Sequence, residues 1–115
     1  MPQKVLDFHA HVGHDKDRTA YSLRQLLSSM DHAEVTHSVV FPFDEMYDTL
    51  EDASAQLARD ARGNPIYAFF RFDPKAMTPE KLKAYLNGFS GVKLHPRSQD
   101  FDPLDEQYFP LYEVI

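Results

Sequence analysis

A chain of 115 residues is long enough for one small domain with a modest core, and is about half of the roughly 250 residues that a (β/α)8 TIM barrel usually takes. Eighteen Asp and Glu against twelve Lys and Arg leave a formal charge of -6, which repels phosphate backbones and anionic lipid surfaces and so disfavours nucleic acid and membrane as partners. Cysteine is absent, which excludes a disulfide framework, a thiolate nucleophile and a sulfur metal site, so any metal must sit on His, carboxylate or modified Lys.

The N-terminal run "MPQKVLDFHAH" has only two consecutive apolar residues before Asp7; it is neither a signal peptide nor a membrane span, and a cytoplasmic location is expected. Val5 to His11 reads as the first strand, with Val5, Asp7, His9 and His11 on one side, Leu6, Phe8 and Ala10 on the other, and Gly13 as its break. Ser22 opens a helix with Gln25 at the capping-box position, and Leu23, Leu26, Leu27 and Met30 form one apolar stripe. "HSVVFPF" from His37 is a nearly continuous apolar run, as suits a strand buried on both faces. Asp48 is placed to cap a second helix, with Glu51 at the box position and Leu50, Ala53, Leu57 and Ala61 along its stripe, up to the stop signal "GNP" from Gly63 to Pro65. Ile66 to Phe72, "IYAFFRF", is the third strand. Thr78 and Pro79 start a third helix whose stripe is Leu82, Tyr85, Leu86 and Phe89. Gly91 then admits "VKLH", a fourth strand ended by Pro96, and "PLYEVI" from Pro110 opens a fourth helix.

Four strands and about four helices thus alternate over short connections, which predicts an α/β fold with a parallel sheet of right-handed βαβ units. The apolar residues Leu111, Val114 and Ile115 run out with no cap, polar tail or glycine stop, and residues 1–115 are therefore expected to form a single partial domain, the first half of something larger.

His9 and His11, at i and i+2 on a strand, project from one face, and neutral imidazoles at that spacing reach one divalent ion with Zn–N distances of about 2 Å. They fall at the C-terminal end of the first strand, where parallel α/β folds place their active sites. A bare pair of this kind in an arbitrary protein is more often one loop hydrogen bond and one solvated ring, so its neighbours decide the reading. Asp7 precedes them on the same face, placed either to orient a ligating ring from behind or to hydrogen-bond the backbone. "GVKLHP", Gly91 to Pro96, sets Lys93 and His95 on one face at the end of the fourth strand, and a lysine in a buried parallel strand is costly unless paired or modified. Arg71, ending the third strand, and Arg97, just past the fourth, are candidate anchors for a substrate carboxylate; a surface salt bridge is the competing reading, stronger for Arg97. His14 reads as a loop residue, His32 as a cation at a helix C-terminus, and His37 lies at the strand end remote from the expected site.

"DFHAH" at the end of strand one, together with "GVKLHPR" at the end of strand four, resembles the amidohydrolase superfamily of metal-dependent hydrolases, in the branch that also contains aromatic-acid decarboxylases. The resemblance covers nearly the whole chain. It implies about half of a (β/α)8 barrel, with His9 and His11 as ligands of a divalent metal, zinc first among the candidates, as one or two ions. Lys93 matches the lysine that two-metal members carboxylate to bridge their ions, and His95 matches a histidine that contacts the substrate carbonyl. Later strands of the family supply two further histidines and an aspartate that is ligand and base; none is in this chain, which implies weak or no hydrolysis by the chain alone.

Two functions are expected from this. One is the N-terminal half of a hydrolase that acts on a small-molecule substrate with metal-activated water, or of a decarboxylase on the same scaffold. The other is a non-catalytic half-barrel that works as a homo-oligomeric binding or assembly module, its exposed sheet edges closed by a second copy instead of by a missing C-terminal half.

Overall fold

The computed structural model describes residues 3–115; Met1 and Pro2, which begin the N-terminal run weighed above, lie outside the described residues. Along the chain come β1 (Leu6–His14), β2 (Ala20–Tyr21), α1 (Leu23–His32), β3 (His37–Pro42), α2 (Leu50–Asp60), β4 (Ile66–Arg71), a 3₁₀ turn at Pro74–Ala76, α3 (Pro79–Tyr85), β5 (Gly91–Lys93), α4 (Pro96–Gln99), a second 3₁₀ turn at Glu106–Tyr108 and α5 (Phe109–Tyr112). The strands form one five-stranded sheet in the order β2-β1-β3-β4-β5, in which β1, β3, β4 and β5 are parallel and β2 runs antiparallel to β1. The fold is therefore α/β with a mostly parallel sheet. No helix among the described residues is long and apolar enough to cross a membrane.

Local chemistry accounts for most of the element ends. Ser22 Oγ accepts from the Gln25 amide while Gln25 Oε1 accepts from the Ser22 amide, closing the box that starts α1. Thr49, not Asp48, caps α2: its hydroxyl accepts from the Asp52 amide at 3.0 Å, and Asp48 is used one residue earlier, accepting from the Thr49 amide. Glu51 is thereby released from a capping role and accepts from the Asp73 amide across the loop.

Five strands and five helices replace the expected four and four. The extra strand arises because Gly13 does not stop β1. With φ at +110° it turns the strand so that Gly13 and His14 pair with Tyr21 and Ala20, and a side chain there would collide with the Glu45 carboxylate. A two-residue partner is too short to leave a period in the sequence. The extra helix arises because Pro96 does not merely end a strand; its fixed φ starts α4, so β5 stops at Lys93.

One face of the sheet carries the core. Ala10, Val12, Val40 and Ala68 meet Leu26 and Met30 of α1 and Leu57 of α2, while Phe70 and Phe72 meet Leu82 of α3 and Leu111 of α5. Phe70, Phe72 and Leu82 are fully buried, and burying each such side chain contributes about 1.5–3 kcal/mol. The opposite face, on which Phe41, Phe69, Arg71 and Lys93 alternate with the core residues, has no helix in either core cluster packed over it.

Candidate functional site

Between Asp7 and Ala10 the register of β1 against β3 slips: Asp7 pairs with Ser38 and Ala10 with Val40, so β1 uses three steps where β3 uses two. This bulge corrects the expected alternation. Phe8 does not share a side with Ala10; its ring meets Phe69 edge-on at 6.1 Å, while His9 meets Phe41 at 5.1 Å, which places consecutive residues on the same open face. Asp7 holds the bulge in place, its carboxylate accepting from the His9 amide at 3.1 Å. Of the two roles weighed for Asp7, the backbone bond is the one present. It positions His9 through the main chain, not through the ring.

His9 and His11 converge, with their Nε2 atoms 3.1 Å apart. His11 Nδ1 lies 3.4 Å from the Pro42 carbonyl, an oxygen that can only accept, so Nδ1 carries the proton and Nε2 presents its lone pair. Burial lowers the pKa of His11, and His9, Arg71 and Lys93 push the same way against the Pro42 bond, which favours the neutral ring. Phe41 organises the surroundings: His11 packs edge-on to it at 4.6 Å, and the Lys93 ammonium stands 4.9 Å over its ring. Burial, and then the Arg71 charge, lower the pKa of Lys93. Phe43 stacks on the other side of His11 at 4.9 Å.

His95 is brought to the same place by a different route from the one expected. It is not a strand residue but the N-cap of α4, where Nδ1 accepts from the Ser98 amide at 3.1 Å. Its proton therefore sits on Nε2. Gln99, buried, fixes this turn by accepting from the His95 amide at 2.8 Å and donating to the Phe72 carbonyl.

Arg71 is 2% exposed, and both its backbone and its guanidinium are held. Ser54 of α2, fully buried, accepts from the Arg71 amide at 2.9 Å and donates to the Arg71 carbonyl at 3.1 Å. The guanidinium donates from Nη1 to the Pro42 carbonyl and from Nη2 to Ser98 Oγ, each at 3.0 Å. Burial lowers its pKa, with Asp44, Asp15 and Glu45 acting in the opposite sense, and an arginine remains charged all the same.

His9, His11, Arg71, His95 and Ser98 line one cleft of about 280 Å³ together with Asp15, Phe43 and Asp44. Lys93 adjoins it over Phe41 but is not part of its lining, and Arg97 is exposed and also absent from the lining. A larger depression of about 870 Å³ lies at the other end of the sheet, lined by Val5, Leu27, Met30 and the loops around Val35 and Pro65. It contains no histidine or buried charge, which the smaller cleft has. Sequence reasoning missed Asp15, Asp44, Ser54 and Ser98. The Ser98 position three residues after His95 was a legible capping signal, whereas the Ser54 contact to Arg71 spans 17 residues and left no local trace. Among the described residues no group of three or more His, Cys, Asp or Glu stands ready to hold a metal ion. A scan against protein-family models and searches of curated proteins and of solved structures found no match to this chain.

Proposed function

We propose that this cleft is half of a metal-dependent hydrolase site, built on half of an amidohydrolase-like (β/α)8 barrel. One observation carries the reading: His9 Nε2 and His11 Nε2 are 3.1 Å apart, and with Zn–N bonds of about 2.1 Å that separation subtends about 95° at a shared ion, a bite compatible with tetrahedral or octahedral coordination. The tautomer of His11 fits as well, since its backbone-bonded Nδ1 leaves Nε2 unprotonated; that atom accepts from His9 Nε2, whose proton would move to Nδ1 when both rings ligate.

The topology supports the barrel. Consecutive parallel strands in the order β1-β3-β4-β5 with no reversal, and core helices on one face only, describe a singly wound sheet; doubly wound folds reverse their order and cover both faces. The cleft lies at the C-terminal ends of β1, β3 and β4, as in barrel enzymes.

A divalent ion, zinc first among the candidates, would when bound here make hydroxide accessible at neutral pH. His9 and His11 would hold it, and Lys93, once its neutral amine has added carbon dioxide and released a proton to become a carbamate, would add an anionic ligand from across Phe41. His95 offers its Nε2–H to a substrate carbonyl oxygen. The cleft volume suits a small molecule. A decarboxylase on the same scaffold uses the same groups.

Elemental mass spectrometry on untagged protein purified without chelator tests this. About one zinc, manganese or iron ion per chain is expected, falling at least tenfold when His9 and His11 are replaced by alanine. Metal-free protein that also takes up none on dialysis against zinc sinks the reading.

A second reading has its own support. Phe8 is 65% exposed and Tyr67 44%, on an open face where parallel sheets are ordinarily covered. A homo-oligomer that closes these faces on each other would work as a binding or assembly module, and light scattering at micromolar concentration distinguishes it from a monomer.

A further inference from the structure

Arg71 is a buried cation with no carboxylate in direct contact, although Asp44, Asp15 and Glu45 act on it from farther off. Among the described residues the ion pair within 4 Å joins Lys16 to Asp44, and no carboxylate stands within that distance of Arg71. A guanidinium has five N–H donors; two are spent on the Pro42 carbonyl and Ser98 Oγ, which leaves three, and Nε is buried with no partner at all. Lys93 stands near Arg71 as a like charge, which the more distant carboxylates of Asp44, Asp15 and Glu45 oppose without accepting any bond from the guanidinium. Burying an arginine beside another cation with donors left over is unfavourable, and such an arrangement persists where something anionic completes it.

The rest of the wall agrees. Ser98 Oγ accepts from Arg71, so its own hydrogen is free to donate, and His95 presents Nε2–H. Arg71, Ser98 and His95 thus give the cleft wall free donors, while the His11 Nε2 lone pair is engaged by His9. The carboxylates of Asp15 and Asp44 also line the cleft, and Asp44 is already engaged by Lys16 at 3.3 Å.

We infer that Arg71 is the specificity residue of this cleft and that the ligand carries an anionic group, a carboxylate or a phosphate, which docks on Arg71 with Ser98 and His95 beside it. The inference rests on reading the cleft as a ligand site, but not on the metal. Arg71 would fix the anionic end of a substrate whose reacting carbon lies toward His9 and His11.

The test is calorimetric titration of the chelator-treated chain with inorganic phosphate and, separately, with acetate, each against sodium chloride at matched ionic strength. Saturable binding of at least one anion above the chloride control is expected, weakened at least tenfold by Arg71→Met and severalfold by Ser98→Ala, and unchanged by Arg24→Met on the exposed face of α1. Whichever anion binds more tightly names the group. Thermal melts without anion check that each variant is folded, and Ser98→Ala carries the test if Arg71→Met does not fold. Failure of the wild type to bind either anion overturns the inference, as does equal weakening by Arg24→Met. Anion binding that survives in the His9→Ala, His11→Ala double variant separates this inference from the metal reading: metal retained with no anion bound sinks the inference alone, and anion bound with no metal sinks the metal alone.

Discussion

The two faces of one sheet follow different rules. On the face under the helices, Val40, Ala68 and Phe70 are apolar, fully or nearly buried, and interchangeable in kind; with Leu82 of α3 packed on them they contribute stability through area alone. On the open face every second residue is specific: His9, His11, Phe41, Arg71 and Lys93 are each held by a named partner, and exposed aromatics stand beside them. Consecutive residues of one strand, Phe70 and Arg71, belong to the two regimes. The lesson is that a parallel sheet with a single covered face separates folding from chemistry by parity, so that substitutions one residue apart should have unrelated consequences.

The largest effect is expected on the covered face. Leu82→Ala removes a fully buried side chain from between Phe70 and the end of α5, and a loss of about 2–5 kcal/mol should appear in chemical denaturation. Metal and phosphate stoichiometry per folded molecule should stay the same; their loss in the folded fraction would mean that the faces are not separable. Ser54→Ala comes next. Its hydroxyl satisfies both the amide and the carbonyl of Arg71, so its removal should lower stability by about 1–3 kcal/mol and also weaken phosphate binding, because it connects the covered face to the open one. A stability loss with unaltered binding would show that Arg71 needs no such support. Phe8→Ser should change stability by less than about 1 kcal/mol, since the ring is mostly exposed, but should reduce self-association in sedimentation. A loss as large as that of Leu82→Ala would mean that this face is already covered.

Parity also governs what the sequence could reveal. Apolar stripes such as Leu23, Leu26, Leu27 and Met30 announce helices because their period is their function; α1 and α2 lie where periodicity puts them, while α3 stops at Tyr85, so that Leu86 is its C-cap and Phe89 lies beyond it. His9, His11, Arg71 and His95 were legible as candidates from residue type and strand-end position, and one cleft collects them. What escaped was non-local or aperiodic. The bulge at Asp7 moved Phe8 to the face of the histidines, and a single inserted residue has no periodic signature. His95 was assigned to a strand because "VKLH" is extended in character, yet Pro96 fixed a helix start first and made His95 its cap. Arg97 follows His95 by two residues, and on a helix that spacing turns it outward, whereas on a strand it would have shared the face.

The smallest effect expected lies at the rim, where β1 turns through Gly13 against Glu45. Burial raises the pKa of the Glu45 carboxyl, with Asp48 and Asp15 adding in the same direction, while the bond from the His14 amide and the His14 charge oppose it. A carboxyl whose pKa is higher folded than unfolded holds its proton more tightly in the native state. Its contribution to stability is therefore fully present below the unfolded value and is lost as pH rises through the folded one. Glu45→Gln keeps an oxygen for the His14 amide and removes the titration. The variant should melt slightly above the wild type at neutral pH, and this advantage should shrink as pH falls through the carboxylate range, in melts taken from about pH 7 to about pH 3. Because the Glu45 side chain is only partly buried, the difference should be small and further reduced by salt. A variant less stable than the wild type at neutral pH would show that the charged bond to the His14 amide outweighs burial, and would make Glu45 a support for the turn that carries the strand past its histidines.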